Sequence, residues 1–278
     1  MNTTVKRTLS GVVFLVIMIA GLLLHPIAFA VLFFLMTAGM LHEFFSMNMG
    51  GKYMGLRRMA MTIGLLWFTS AFLSFFIGLD GVLMLCLDAF LLLALMMVSV
   101  LDKDHEDFKL TAFIYAGLLY IAIPLSLANF VVFHGGAFDG RLMLSFFCII
   151  WASDVGAYCL GMLLGQKKWS HKLCPRISPK KSWAGFWGGM LFALLAAAIL
   201  SWTGLVDFPI WHALIMAAIM HVAGVFGDLF ESLWKRACQI KDSGNVIPGH
   251  GGLLDRFDSA LFAIPTGVIY LIINGLMI

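Results

Sequence analysis

Nine apolar stretches follow one another along this chain, near residues 8–24, 26–45, 58–78, 81–101, 109–133, 141–164, 184–202, 208–228 and 254–277. Each is close to the length of about 20 residues that a helix needs to cross the hydrocarbon of a bilayer. Lipid offers no partner to a bare N–H or C=O, so such a run is stable in a membrane as a helix that satisfies its own backbone. The expected fold class is therefore an all-α polytopic membrane protein with about nine transmembrane helices. Composition agrees, since 62% of the 278 residues are hydrophobic, against about half in soluble domains. The spans fall into an N-terminal set in 1–140, about five of them, and a C-terminal region in 141–278 that carries two motif loops, together one membrane domain.

The cations give this domain an orientation. With the N-terminus in the cytoplasm, every one of the 18 Lys and Arg residues except Arg141 falls in an inside segment, as the positive-inside rule requires. The N-terminus is then cytoplasmic, the C-terminus outside, and both basic loops face the cytoplasm. Ala28-Phe-Ala30 imitates a signal-peptidase site, but the residues after it stay apolar instead of opening a polar mature domain. The five cysteines form no CxxC pair, and three lie in apolar runs, where they read as small core residues. No internal repeat is visible, which counts against an inverted-repeat transporter.

Against this apolar background, Gly227 to Ser259 is anomalous: it gathers Asp228, Glu231, Asp242, Asp255 and Asp258 with Lys235, Arg236, Lys241 and Arg256, in a chain only 12% charged. If the preceding apolar run continues as a helix, Asp228, Glu231 and Lys235 share one stripe at i, i+3 and i+7, with Ser232 and Arg236 on the adjoining one. Pro248-Gly-His250-Gly251-Gly252 cannot be a helix interior, and its glycines allow backbone N–H groups to converge on an anion, as in a phosphate-cradling turn. Asp255 and Asp258 then fall at i and i+3 in the first turn of a new helix, where the macrodipole favours carboxylates, and their oxygens can share a cation. Hard oxygen ligands without a Cys or His cage point to Mg²⁺, with the interleaved Lys and Arg suited to phosphate oxygens. The local chemistry reads as metal-assisted phosphoryl or nucleotidyl transfer. A merely wet polar loop is the alternative, weakened because Asp228 and Asp258 sit inside or at the edge of apolar runs, where an unpaired carboxylate is costly.

A second constellation lies between the sixth and seventh spans, where residues 167–181 hold six cations and no acid. Such a loop serves either attraction to anionic headgroups or a polyphosphate clamp, in which Ser178-Pro-Lys180-Lys181 presents two lysines after a rigid turn. Upstream, Asp154 interrupts an apolar run, and an intramembrane acid is a functional candidate by default. His42, Glu43, His212 and His221 lie near span ends or on mixed faces, where structural partners are expected in preference to ligation.

The pattern S-x-x-K-R-x4-K-D-x-G-x3-P-G-H-G-G-x-x-D-R-x-D is filled here by Ser232, Lys235, Arg236, Lys241, Asp242, Gly244, Pro248, Gly249, His250, Gly251, Gly252, Asp255, Arg256 and Asp258. It resembles the signature of the phosphatidate cytidylyltransferase family. That family's G-D-L-x-E-S, D-x-x-A-Y and S-P-K-K motifs are matched at Gly227–Ser232, Asp154–Tyr158 and Ser178–Lys181. The resemblance implies that CTP and phosphatidate give CDP-diacylglycerol and pyrophosphate at the cytoplasmic face of the inner membrane. It implies Mg²⁺, alone or with a second cation, on Asp228, Asp255 and Asp258, with Lys235 and Arg256 among the catalytic groups. Substrate would be held by Asp154, Ser178, Lys180, Lys181, Arg236, Lys241, Asp242, His250, Gly251 and Gly252. The expected partners are CTP, phosphatidate and membrane lipids, with no nucleic acid, and the resemblance implies a homodimer. Two positions depart from the pattern: Ala184 stands where a Glu is expected and Met162 where an Arg is expected. They leave an inactive relative or a related lipid phosphotransferase open, beside an ion-coupled transporter that uses Asp88, Asp154 and Asp228.

Overall fold

The computed structural model describes residues 3–101, 108–167, 170–244 and 251–277. Ten α-helices are present among them, α1 Thr3–Leu23, α2 Pro26–Met49, α3 Met54–Phe76, α4 Gly81–Leu101, α5 Phe108–Gly117, α6 Ile123–Val132, α7 Arg141–Leu163, α8 Trp183–Trp202, α9 Ile210–Ala237 and α10 Leu254–Ile273. A π turn, Leu118–Ala122, joins α5 to α6 in one continuous span. The only strands among the described residues are β1 Lys172–Cys174 and β2 Ser178–Ser182, an antiparallel hairpin with Lys172 opposite Ser182. Eight helical segments are long and apolar enough to cross a membrane, and α1 adds the shorter apolar stretch Thr8–Leu23. The chain is an α-helical, multi-pass membrane protein.

The π turn has a local cause. Pro124 has no N–H and its ring crowds the preceding turn; just before it, Ile123 N donates to Leu118 O, five residues back, and the widened turn absorbs the misfit. The sequence shows one span here because hydropathy is blind to such a bulge.

The chain forms two compact units. The first runs through Phe138 and includes Asp242–Arg256. Its interior is aromatic: Phe29 and Phe33 have ring centroids 4.5 Å apart, and Phe68 lies within 6.3 Å of both. Intramembrane polar groups are paired locally, Ser70 Oγ donating to Asp88 Oδ2 at 2.7 Å and Arg57 reaching Gly50 O at 2.8 Å.

The second unit comprises Asp139–Lys241 and Phe257–Ile278. Its tightest packing is between α7 and α8, where glycines let the backbones touch: a Cβ on Gly156 would stand 2.6 Å from Gly188 O, and one on Gly188 2.8 Å from Gly156 O. In lipid, where apolar association gains nothing from water, close packing of small residues holds helices together. Ser182 starts α8 as its N-cap, accepting from Gly185 N at 3.2 Å. The 28 residues of α9 extend about 42 Å at 1.5 Å per residue, against about 30 Å of hydrocarbon. The helix is thus longer than the bilayer core is thick, and its charges Glu231, Lys235 and Arg236 lie in its last turns.

Candidate active site

The second unit contains a cavity of about 620 Å³, within the usual range for small-molecule sites. Its polar lining comes from Asp154 on α7, Gln166 just beyond α7, Lys180 and Lys181 on β2, and Asp228 on α9; Ile149, Ile150, Met162, Leu173, Phe186 and Met220 supply much of the apolar lining. A space lined in this mixed way has the chemistry to suit an amphiphile.

Each charged group is delivered by a local feature. The hairpin is tied to the end of α7 through Lys172, whose Nζ donates to Gly165 O at 3.0 Å and Gln166 Oε1 at 2.9 Å, while Gln166 Nε2 donates to Lys180 O at 3.0 Å. Lys172 is thereby consumed as a brace, and Lys181 next to the tethered carbonyl reaches Asp228 Oδ2 at 2.5 Å. At Gly227 the backbone of α9 comes so close to Asp258 O on α10 that no Cβ fits between them. This contact brings Asp228 and Asp258 to neighbouring positions: Asp258, half-buried, is within electrostatic range of Asp228, Glu231 and Asp154, and Asp154 feels Asp228 and Lys181.

The stripe on α9 forms as its spacing predicts, with a division of labour that spacing does not reveal. Lys235 Nζ pairs with buried Glu231 at 2.5 Å, whereas Asp228 takes Lys181 and accepts a long bond of 3.4 Å from Ser232 Oγ. Of the sequence-derived candidates, Asp154, Lys180, Lys181 and Asp228 meet at the cavity. Ser178 begins β2, and Arg236 and Lys241 are exposed near and beyond the end of α9. Two groups missed by the sequence reading as site residues, Ser153 and His221, line the same cavity, with Ser153 Oγ and His221 Nδ1 2.7 Å apart.

Asp242, Gly251, Gly252, Asp255 and Arg256 belong to the first unit, and His250 lies outside the described residues. In that unit Asp255 Oδ2 accepts from Ser243 N and Gly252 N, both at 3.0 Å. Glu43 of α2, only 3% exposed, accepts from Ser243 Oγ at 3.1 Å, Leu253 N at 2.8 Å and Leu254 N at 2.9 Å. The glycines are conditions of this arrangement: Gly251 has φ +84°, a Cβ on Gly244 would stand 2.7 Å from Glu43 Oε1, and one on Gly252 would overlap Ser243 Oγ.

As for a metal, no group of three or more His, Cys, Asp or Glu side chains among the described residues is assembled to hold one unaided. Paired carboxylate oxygens are nevertheless the donors that suit Mg²⁺, which commonly takes one or two carboxylates and completes its shell with water and substrate phosphate.

Fold and site together define a multi-pass membrane protein with clustered carboxylates and lysines at an amphiphile-sized cavity. Comparison with known proteins narrows this class. The cytidylyltransferase family model matches residues 5–274, and the chain belongs to the cytidylyltransferase family, a family of nucleotidyltransferases. It is similar to phosphatidate cytidylyltransferase of Bacillus subtilis strain 168, 34% identical over 265 residues and 94% of each chain. The enzyme of the same name from Staphylococcus saprophyticus is 32% identical over 272 residues, 93% of this chain and 95% of that one. A stronger local match, to that of Staphylococcus epidermidis, is 39% identical over 168 residues, 60% of this chain, and spans 61% of that relative's length.

Proposed function

We propose that this protein transfers the cytidylyl group of CTP to phosphatidate, giving CDP-diacylglycerol and pyrophosphate. A phosphate oxygen of the lipid forms a bond to the α-phosphorus of CTP, and the bond from that phosphorus to the bridging oxygen of the β-phosphate breaks. Pyrophosphate leaves with the electron pair. Little covalent work falls to the protein in such a transfer, and the rate comes from positioning and charge neutralisation.

The observation that supports this best is the Lys181–Asp228 pair at a cavity that is largely apolar elsewhere. Asp228 and Asp258 would hold Mg²⁺, and Asp255 is read as a metal carboxylate on the strength of the motif alone. When bound, Mg²⁺ neutralises the phosphates and their leaving charge. Lys181, with Lys180 beside it, would turn from Asp228 to a phosphate oxygen of the substrate, leaving that carboxylate to the cation. Asp154 lines the same cavity and would contact the bound substrate. Arg236, Lys241 and Arg256 draw polyanions to the membrane face. With the N-terminus inside, this face is the cytoplasmic side of the inner membrane, where CTP is available.

The test is product formation by purified protein in detergent from CTP and phosphatidate, with Mg²⁺ and with EDTA. Metal-dependent CDP-diacylglycerol is expected. Well-folded protein that forms none with either metal condition would overturn the assignment.

A further inference from the structure

The two ends of the 243–254 segment are held at one point by two carboxylates of different origin. Asp255, at the start of α10, takes the backbone N–H of Ser243 at the entrance and of Gly252 at the exit. Glu43, from the cytoplasmic-side turn of α2 in the orientation read above, takes the Ser243 hydroxyl at the entrance and the N–H groups of Leu253 and Leu254 at the exit. Ser243 thus donates to both acids, its N–H to one and its Oγ to the other.

The first amides of a helix have no partner in their own helix, and Leu254 is the first residue of α10. They are capped here from outside by a buried carboxylate two hundred positions earlier in the chain. Burial at 3% exposure makes the arrangement costly to lose, since three donors would be left without their acceptor away from water. Gly244 and Gly252 leave Glu43 no slack: a side chain on either would collide with its carboxylate. Glu43 is far from the motif in sequence, and it touches the neck of the motif.

We propose that Glu43 is a positioning residue for the reaction: it fixes the neck of the glycine segment and thereby the orientation of Asp255. This rests on the reading of Asp255 as a metal carboxylate. Glu43→Gln keeps the volume and one acceptor oxygen but turns an NH₂ toward N–H or O–H donors, so the knot loosens without leaving a hole. Ser243→Ala removes a single donor to Glu43 and serves as the milder variant.

The experiment pairs hydrogen–deuterium exchange of the full-length protein in detergent with Mg²⁺ titration of its activity. In Glu43→Gln the amides of residues 252–255 should exchange at least tenfold faster. The Mg²⁺ concentration for half-maximal rate should rise about tenfold and kcat fall at least tenfold, with KM for phosphatidate within a factor of two. Ser243→Ala should shift the same quantities in the same direction by a smaller factor. A Glu43→Gln protein with faster exchange or lower thermal midpoint but unchanged kcat and Mg²⁺ dependence makes Glu43 a fold staple only and overturns the proposal. If Glu43→Gln does not fold, Ser243→Ala decides by the same criteria. Asp255→Asn separates the two levels: normal turnover in that variant removes the reading of Asp255, whereas a defective Asp255→Asn beside an unaffected Glu43→Gln removes the present inference alone.

Discussion

Lys181 Nζ stands 2.5 Å from Asp228 Oδ2, joining a short hairpin strand to the C-terminal third of a long helix at the cavity. The two side chains are 24% and 35% exposed, so the pair resembles a surface ion pair, worth about 0–1 kcal/mol to stability. Under the proposed function its value lies in what would replace it when substrate and metal bind. Lys181→Met should therefore lower kcat/KM roughly 100-fold, as loss of one charge-stabilising donor does, while shifting the thermal midpoint by only a few degrees. Lys181→Arg should restore little, because a planar fork does not substitute for a point charge on the same stem. Steady-state kinetics beside a detergent melting curve checks both.

Asp228 is the carboxylate to which the proposed function gives the metal. Asp228→Asn should cost on the order of 10²-fold or more in kcat, a few kcal/mol of barrier, and raise the Mg²⁺ requirement. Lys181 then loses its resting partner, and the protein should remain folded because neither group is deeply buried. Turnover near that of the unsubstituted protein would contradict the assignment.

The α7–α8 seam makes a prediction about stability alone. Gly156→Val or Gly188→Val forces side-chain atoms against a facing carbonyl already 2.6 or 2.8 Å from the added Cβ, and overpacking of this kind costs about 1–3 kcal/mol. Both should melt several degrees lower. Gly55→Ala, in α3 with nothing within 4 Å of the added atom, should be neutral or stabilising by about 0.4–1 kcal/mol.

Ala184, where the family pattern has Glu, is the second residue of α8 after its Ser182 cap and is absent from the cavity lining. Ala184→Glu should place a carboxylate at a helix N-terminus, gaining about 0.3–1 kcal/mol, with turnover changed by less than about threefold. Met162, the other departure, does line the cavity, so Met162→Arg should alter KM for one substrate where Ala184→Glu does not.

The spans were legible because the bilayer dictates them: the runs expected at 26–45 and 81–101 begin where α2 and α4 begin, at Pro26 and Gly81. The run ending near 228 gives no sign in hydropathy that α9 continues to Ala237, but the stripe of Asp228, Glu231 and Lys235 does, since its members share a face only on a helix, where Glu231 and Lys235 pair. The β1–β2 hairpin was not legible, because its cation-rich sequence lacks an alternating apolar face. Glu43 and His221 could not be assigned partners for a different reason: Ser243 lies 200 residues from one and Ser153 68 residues from the other. Residue types singled out Asp154, Lys181 and Asp228, which line one cavity, and only the crossing at Gly227 shows why Asp258 comes near Asp228.

The most direct test of the central claim follows the fate of the α- and γ-phosphorus atoms of CTP. Purified protein is supplied with phosphatidate, Mg²⁺ and CTP radiolabelled at one phosphorus or the other, and the lipid and aqueous fractions are counted. Cytidylyl transfer predicts that label from the α-phosphorus enters the lipid and label from the γ-phosphorus appears wholly in pyrophosphate. Label from the γ-phosphorus in the lipid would mean phosphoryl transfer by a kinase, and would contradict the account.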